Sequence, residues 1–401
     1  MSFTLFNFDP RIMSGVRALG YTEPTPIQLQ GIPPILQGRD VIGLAQTGTG
    51  KTAAFTLPIS QRLLNGHRGV IRAAIISPTR ELAEQTCEAF SQLGRQTGLR
   101  SMAIYGGVSM DQQTSRLRRG VEIAVACPGR LLDHIWRGTI DLSHVEILVI
   151  DEADRMFDQG FLPDVRNILG CMVQQRQTLF FSATMPDDVR RLSRDILHDP
   201  VTVQIGREAP ATTVSHALYP VKPHLKTELL IKLLRQTPTE SVLVFTRTKH
   251  RTESVALRLQ KEGFKAASLQ GNLSQPRRQA ALNGFRNGSF KILVATDIAA
   301  RGIDVLRISH VINYDMPDGT DAYIHRIGRT GRIGQNGDAL TFVTGEDNAA
   351  VKDLERLLNT RLERHSLPGF DYAASAPERT QSRPLRPTRK PTALRPRFGN
   401  A

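Results

Sequence analysis

The stretch AQTGTGKT, Ala45 to Thr52, constrains the fold more than any other part of this chain. It follows a short apolar run, Asp40 to Leu44, and leads into Ala53, Ala54 and Phe55, which can open a helix. A glycine-rich turn between a strand and a helix points several backbone N–H groups into one concavity. With the positive end of the helix beside them, those groups suit a polyphosphate. Lys51 is placed to reach β and γ phosphates, and the Thr52 hydroxyl to hold Mg²⁺. Ala45 stands where the usual G-x-x-x-x-G-K-S/T pattern begins with Gly, and Gln46, Thr47, Gly48, Thr49 and Gly50 complete the loop. The plain alternative is a glycine-rich surface turn, and a second motif argues against it.

That motif is DEAD, Asp151 to Asp154, which ends the apolar run Ile147 to Ile150. A carboxylate at the C-terminal end of a buried strand sits where open α/β sheets bind ligands. Asp151 can hold Mg²⁺ through water, and Glu152 is placed to orient or deprotonate an attacking water. An acidic helix N-terminus alone would also be favoured by the helix dipole, but it would not explain the phosphate loop upstream.

Strand-like and helix-like segments alternate along most of the chain. Apolar runs at 73–77, 102–105, 123–126, 147–150 and 178–181 are each followed by polar residues: PTRELA, Gly106–Gly107, CPGR, DEAD and SAT. This alternation predicts an α/β protein with parallel sheets covered on both faces. In each unit the polar residues fall just after the strand, on the ligand-binding edge. GREAPATT, Gly206 to Thr213, has no periodicity and reads as a linker. Alternation then resumes with runs at 241–246, 266–269, 291–295, 311–313 and 339–343, and a last helix is expected from Glu346 to Leu362. The expected units are 1–206, a linker at 207–217, a second domain at 218–368 and a tail at 369–401. The second block has no phosphate loop and reads as a structural duplicate of the first.

The net charge of +14 favours a polyanion or an acidic membrane surface as partner. The last residues, 377–401, carry seven basic side chains against Glu378 and four prolines after Pro377, with few large apolar groups. Such a segment cannot offset its ordering entropy and is expected to be a disordered basic tail. Cys87, Cys127 and Cys171 have neither disulfide nor zinc spacing, so a reducing compartment, the cytoplasm, is expected. No secretory signal and no membrane-spanning run is evident.

Two further stretches carry candidate chemistry. YIHRIGRTGR, Tyr323 to Arg332, spaces Arg326, Arg329 and Arg332 three apart, which crowds three cations and calls for an anion nearby. An arginine delivered from a second domain onto a γ phosphate would be an arginine finger; the plain alternative is a salt-bridged surface helix. In TDIAARGID, Thr296 to Asp304, Asp304 can accept from a ribose hydroxyl and Thr296 can contact a nucleic-acid strand. In EPTPIQ, Gln28 can read an adenine edge, and Tyr21 just before it can stack on a base; a solvated glutamine and a core tyrosine are the plain alternatives. Together these place ATP on the first domain and make catalysis depend on closure of the second, promoted by a strand lying across both.

In this order the motifs resemble those of the DEAD-box RNA helicases of superfamily 2, over residues 3 to 345. They include GYTEPTPIQ, AQTGTGKT, PTRELA, CPGR, DEAD, SAT, VFTRT, QGNLSQ, ATDIAARGID and HRIGRTGR. A short core with a basic tail looks most like the bacterial RhlE-like branch. The resemblance implies two tandem RecA-like domains and an enzyme that uses ATP and Mg²⁺. It gives Tyr21 and Gln28 to adenine, Lys51, Thr52, Asp151 and Glu152 to phosphate, metal and water, Asp304 to the nucleotide, and Arg329 and Arg332 to the fingers. Asp154, Ser182 and Thr184 would couple the nucleotide and RNA sites. RNA would lie along Pro78, Thr79, Arg80, Gly107, Pro128, Gly129 and Arg130, then along Arg247, Gly271, Gln275 and Thr296.

Such enzymes grip one strand by its sugar-phosphate backbone, with little sequence preference, and unwind short duplexes locally. An ATP-gated RNA clamp or annealer with little unwinding is the alternative. Ribosomal precursors and RNA-decay proteins are candidate associates. The chain departs from the family at Cys127, where Thr is usual, and at Gln270, where His is usual. Deleting residues 377–401 is expected to weaken RNA binding and flatten the slope of log affinity against log salt. An unchanged slope would make the tail a bystander.

Overall fold

The computed structural model describes residues 2–45, 48–173, 175–205, 214–237, 240–300, 308–331 and 337–375. The alternation forms two parallel sheets of seven strands each. The first contains β1 (Val41–Leu44), β2 (Ala73–Ile76), β3 (Ser101–Ile104), β4 (Ile123–Ala126), β5 (Ile147–Ile150), β6 (Gln177–Ser182) and β7 (Val201–Gln204), in the order β3-β4-β2-β5-β6-β1-β7. The second contains β8 (Val214–Pro220), β9 (Val242–Phe245), β10 (Ala266–Leu269), β11 (Ile292–Ala295), β12 (His310–Asn313), β13 (Gly337–Val343) and β14 (Glu363–Arg364), in the order β10-β11-β9-β12-β13-β8-β14. Numbered from its own first strand, the second sheet repeats the order of the first.

The central strands read as unbroken apolar runs because helices cover both faces. Every residue of β2, β5, β9 and β11 is buried. Their side chains alternate between two cores. Leu148 and Ile150 join one with Phe180, whereas Ile147 and Val149 join the other with Phe181. At the amino end Phe3, Phe6, Phe8, Ile12 and Val16 pack on Leu57 and Leu93, so the first forty residues form part of the first lobe.

Three strands carried too weak a pattern to be expected. β7 and β14 are edge strands with exposed positions, and β8 mixes polar Ser215 and His216 with apolar groups. β8 begins at Val214, inside the stretch read as linker (207–217), so the second lobe starts earlier than expected. The last helix is also shorter than expected. It runs Asn348–Leu358, and Asn359 stops it in the left-handed conformation at φ 48°. The chain then adds β14 to the edge of β8. Residues 369–375, expected to open the tail, fold back on the second lobe. Phe370 and Tyr372 pack on its core, and the Ala374 carbonyl is 2.9 Å from His224 Nε2. Among the described residues no helix is long and apolar enough to cross a membrane.

Gly43 in β1 faces the ring of Phe181, and a Cβ there would overlap it. Gly43→Ala is expected to cost about 2 kcal/mol by overpacking, read as a lower urea midpoint at unchanged slope.

Candidate nucleotide and nucleic-acid interface

Gly48 and Gly50 adopt φ of 86° and 93°, and Gly50 caps the helix Lys51–Leu63. A Cβ on Gly50 would lie 2.5 Å from Gln28 Nε2 and 2.9 Å from Thr25 Oγ1. Glycine is therefore required there by both conformation and space. Lys51 is buried, and its Nζ donates to the Ala45 carbonyl at 2.7 Å. Gln28 is buried too. Its Oε1 accepts from Thr25 N–H at 2.9 Å in a capping box, and its Nε2 donates to the Gly50 carbonyl at 3.1 Å. The proline-rich segment is thus tied directly to the phosphate loop. Tyr21 is 41 % exposed and stacks on Phe3 at 6.1 Å.

β5 delivers Asp151, Glu152 and Asp154, all buried. Asp154 is saturated: it accepts from Ala183 N–H (3.1 Å), Thr184 N–H (2.8 Å) and Thr184 Oγ1 (3.0 Å). Its own N–H donates to Ser182 Oγ at 3.2 Å, and Ser182 Oγ donates to the Thr184 carbonyl at 2.7 Å. The three residues expected to couple the sites are therefore one hydrogen-bonded unit. Glu152 adopts φ 54°, a conformation costly for a residue with a Cβ. Its Oε2 is 2.5 Å from Arg155 Nη1, and both side chains are buried. Asp151 Oδ1 has no hydrogen-bond partner among the described residues. Burial, and then the neighbouring Glu152, push the Asp151 carboxyl up to about 7, against the pull of Lys51 and Arg155.

Between the lobes a cavity of about 20 Å³ is lined by Lys51, Glu152 and Arg155 from one side and Ile324, His325 and Gly328 from the other. The second-lobe helix Thr320–Ile327 thus ends against the DEAD turn. Arg329, just beyond it, is 4 % exposed. Arg326 does not await an anion, contrary to the reading of three crowded cations. It grips Asp297 with two bonds of 2.6 and 2.7 Å, donates to Asn313 Oδ1 and the Asp315 carbonyl, and lies over the Phe245 ring. Its charge is consumed within the lobe. Gln46, Thr47, Asp304 and Arg332 lie outside the described residues.

On the same strand ends, Thr79 caps the helix Arg80–Leu93, accepting from Leu82 N–H at 3.4 Å. Pro78 precedes it. Gly107 takes φ 84° beneath the Arg80 guanidinium, and a Cβ on Gly106 would be within 4 Å of both Arg80 and Arg130. Arg130 Nη1 donates to the Val108 carbonyl at 3.1 Å and Gln113 Oε1 at 3.2 Å. Pro128 and Gly129 open their helix behind Cys127, which makes no cap bond. Burial pushes the Cys127 thiol up to about 12, leaving a neutral, weak donor at a position where a hydroxyl would cap.

In the second lobe Gln275 begins the helix Gln275–Arg286, and its Oε1 accepts from Arg80 Nη1 at 3.3 Å across the cleft. Gly271 follows Gln270, whose Oε1 accepts from Asn272 N–H at 2.7 Å, so this departure holds a local turn. Thr296 N–H donates to the Leu269 carbonyl at 3.4 Å, and Arg247 Nη2 donates to the Met316 carbonyl at 3.3 Å. A second contact across the cleft joins Glu81 and Arg278, both largely buried.

The DEAD/DEAH box helicase profile matches residues 25–192, and the helicase conserved C-terminal domain matches residues 225–334. The chain is 40 % identical over 379 residues to the DEAD-box ATP-dependent RNA helicase CshA of Geobacillus kaustophilus, covering 94 % of this chain and 81 % of that one. The chain belongs to the DEAD-box RNA helicase family. ATP-dependent RNA helicase CshA of Listeria monocytogenes is 41 % identical, over 92 % of this chain and 71 % of its own. Among solved structures, S. cerevisiae Dbp5 bound to RNA and ADP BeF3 matches with a TM-score of 0.82 at 30 % identity, over 91 % of this chain and 95 % of that one. Mss116p bound to single-stranded RNA and AMP-PNP matches at 0.80 and 27 % identity, over 90 % and 78 %. The two lobes are accordingly RecA-like domains of a DEAD-box enzyme. The two relatives named above are CshA helicases, which leaves the RhlE-like branch unconfirmed.

Sequence reasoning did not single out Arg155, His325 or the Glu81–Arg278 pair. Arg155 was accessible as an opposite charge three residues after Glu152 on a helix. Arg155→Met leaves Glu152 buried without its partner. It is expected to cost about 3 kcal/mol, checked by denaturant unfolding, with turnover falling as well.

Proposed function

We propose that this DEAD-box enzyme hydrolyses ATP in the cleft between its lobes, that RNA stimulates the reaction, and that the bound strand is gripped by its backbone so that short duplexes separate locally. The observation that carries this is the small interlobe cavity where Lys51 and Glu152 meet the helix Thr320–Ile327. A reaction centre shared by two lobes operates only when both are present in one arrangement.

The residues at the sheet edge fit a bound Mg²⁺. Asp151 offers a buried oxygen with no partner, and burial has raised its proton affinity in a way a divalent cation would reverse. Asp151, through water, and Thr52 would hold the ion, which supplies charge neutralisation on the β and γ phosphate oxygens. Lys51 then exchanges the Ala45 carbonyl for phosphate, and the loop from Ala45 to Gly50 supplies N–H groups to the same oxygens. Tyr21 and Gln28 hold the adenine. Gln28 retains one amide hydrogen and one lone pair beyond the bonds it already makes. Glu152 takes a proton from the attacking water, with Arg155 fixing its carboxylate. Arg329, Arg332 and Asp304 complete the nucleotide site from the second lobe.

RNA lies along Pro78–Arg80, Gly107 and Pro128–Arg130, and passes to Gly271, Gln275, Thr296 and Arg247. The Asp154–Ser182–Thr184 unit joins the two sites, since a shift at the DEAD turn moves the loop that follows β6. RNA that stacks no bases on the protein is told from DNA by its 2′-OH. The end of β7 at Gln204 and the start of β8 at Val214 support this division.

Glu152→Gln is expected to keep ATP and RNA affinity while lowering turnover ~10²–10⁴-fold. ATPase rates with no nucleic acid, single-stranded RNA and matched DNA at one salt concentration test the rest. Strong stimulation by RNA alone is expected, and equal stimulation by DNA would overturn the RNA-gated reading.

A further inference from the structure

The helix Met110–Arg118 follows the Gly106–Gly107 turn, and the residues it buries are Gln113 and Thr114, both polar. A buried amide costs free energy unless its groups are paired, so the partners of Gln113 show what it is for. Its Nε2 donates to the Tyr105 carbonyl at 3.0 Å, directly before the glycine turn. Its Oε1 accepts from Arg130 Nη1 at 3.2 Å. The same Arg130 nitrogen donates to the Val108 carbonyl at 3.1 Å, directly after the glycine turn. One buried side chain therefore joins the two loops of the first lobe that are assigned to the gripped strand, Gly106–Gly107 and Cys127–Arg130.

The orientation of that amide is fixed. A guanidinium only donates and a carbonyl only accepts, so the Gln113 oxygen faces Arg130 and its nitrogen faces Tyr105. His134 Nε2 lies 3.0 Å from the same oxygen and must therefore carry a hydrogen. Its Nδ1 is left as an acceptor, 2.7 Å from the Thr139 hydroxyl. The end of the helix Pro128–Trp136 brings Thr139 there: Gly138 takes φ 62°, and the Thr139 N–H donates to the His134 carbonyl at 3.0 Å. His134 is buried, and burial, then the Arg130 charge, lower its proton affinity and keep the ring neutral at neutral pH.

Arg130 is what this network holds. Its Nη1 is occupied by Val108 and Gln113, whereas its Nη2 makes no hydrogen bond among the described residues and faces Gly106, where a Cβ would lie 3.9 Å from it. Arg80 Nη2 comes within 3.8 Å of the same point. An arginine fixed beforehand gives up less rotamer freedom when it takes up a phosphate. We propose that Gln113 and His134 are positioning residues for RNA binding: His134 orients the Gln113 amide, and Gln113 fixes Arg130 against the Gly106–Val108 turn with Nη2 toward the backbone of the gripped strand. Neither residue needs to touch the strand. This rests on the RNA reading above.

The test uses the full chain, with single-stranded RNA titrated in ATPase and fluorescence anisotropy assays. Gln113→Met keeps the volume and removes both polar groups. The RNA concentration for half-maximal stimulation and the Kd for RNA are expected to rise about fivefold, while the rate at saturating RNA stays within about twofold. The deciding comparison places Gln113→Met in an Arg130→Ala background, where a residue that acts through Arg130 should weaken RNA binding by less than about twofold further. Additive losses would make Gln113 a structural residue only and overturn the proposal, as would a fall in rate at saturating RNA with RNA affinity unchanged. If Arg130→Ala alone leaves RNA affinity unchanged, the RNA reading of Arg130 fails and the positioning role fails with it. The parent protein supplies a measurement independent of how the variants fold. In ¹⁵N-histidine spectra the His134 ring, assigned by its loss in His134→Asn, is expected as the Nε2–H tautomer. The Nδ1–H tautomer would overturn the network.

Discussion

The turn Asp151–Asp154 buries three carboxyl groups within four residues, and an ionised group taken out of water without a partner costs several kcal/mol. Each carboxyl meets that cost differently. Asp154 is surrounded by three donors from the loop after β6. Glu152 is paired with Arg155 on its own short helix, at a strained φ of 54°. Asp151 keeps one oxygen without a partner, and its proton affinity rises. These three solutions organise the site. The satisfied carboxylate ties two loops into one unit, the paired one is aimed, and the unsatisfied one is available to a cation. A turn in which all three were satisfied would be more stable and have nothing left to bind with.

The two sheets share one strand order, but their strand ends are used in opposite ways. In the first lobe the edge leaves groups open: Lys51 rests on the Ala45 carbonyl, and one oxygen of Asp151 has no partner among the described residues. In the second lobe the comparable charges are closed off. Arg326 is held by Asp297, Asn313 and the Asp315 carbonyl, while the Asp315 carboxylate takes Lys226 and Arg251. Its sequence carries no second glycine-rich phosphate motif, and among its described residues these cations neutralise the lobe's own acids. It carries the helix Thr320–Ile327 to the cleft.

Most of this architecture was legible because buried parallel strands need continuous apolar runs, and β2, β5, β9 and β11 obey that rule at every position. The phosphate loop and DEAD turn were legible because their chemistry needs particular residues at fixed offsets from a strand. What escaped were elements whose identity depends on a partner in space. β7, β8 and β14 are strands because of the neighbours they pair with, and no periodicity marks them. Residues 369–375 resembled the start of a tail, yet Phe370 and Tyr372 find a core to cover. Arg326 was misread for the same reason. Spacing showed three cations on one side, but only the fold shows that Asp297 neutralises one of them.

The contacts across the cleft explain why such an arrangement can stay conditional. Arg278 meets Glu81 and also donates to the Ala299 carbonyl at 2.8 Å, and Arg80 meets Gln275. When the lobes part, water solvates each of these groups. When the lobes meet, the pair loses that water and recovers the cost through direct attraction. A buried ion pair assembled in this way contributes little net free energy but rejects misaligned closures, since either charge left alone is expensive. Arg80, Gly107 and Gln275 converge at this seam, so a polyanion laid along it adds attraction on both sides at once. On the proposed function, a strand laid there would tip the balance toward closure.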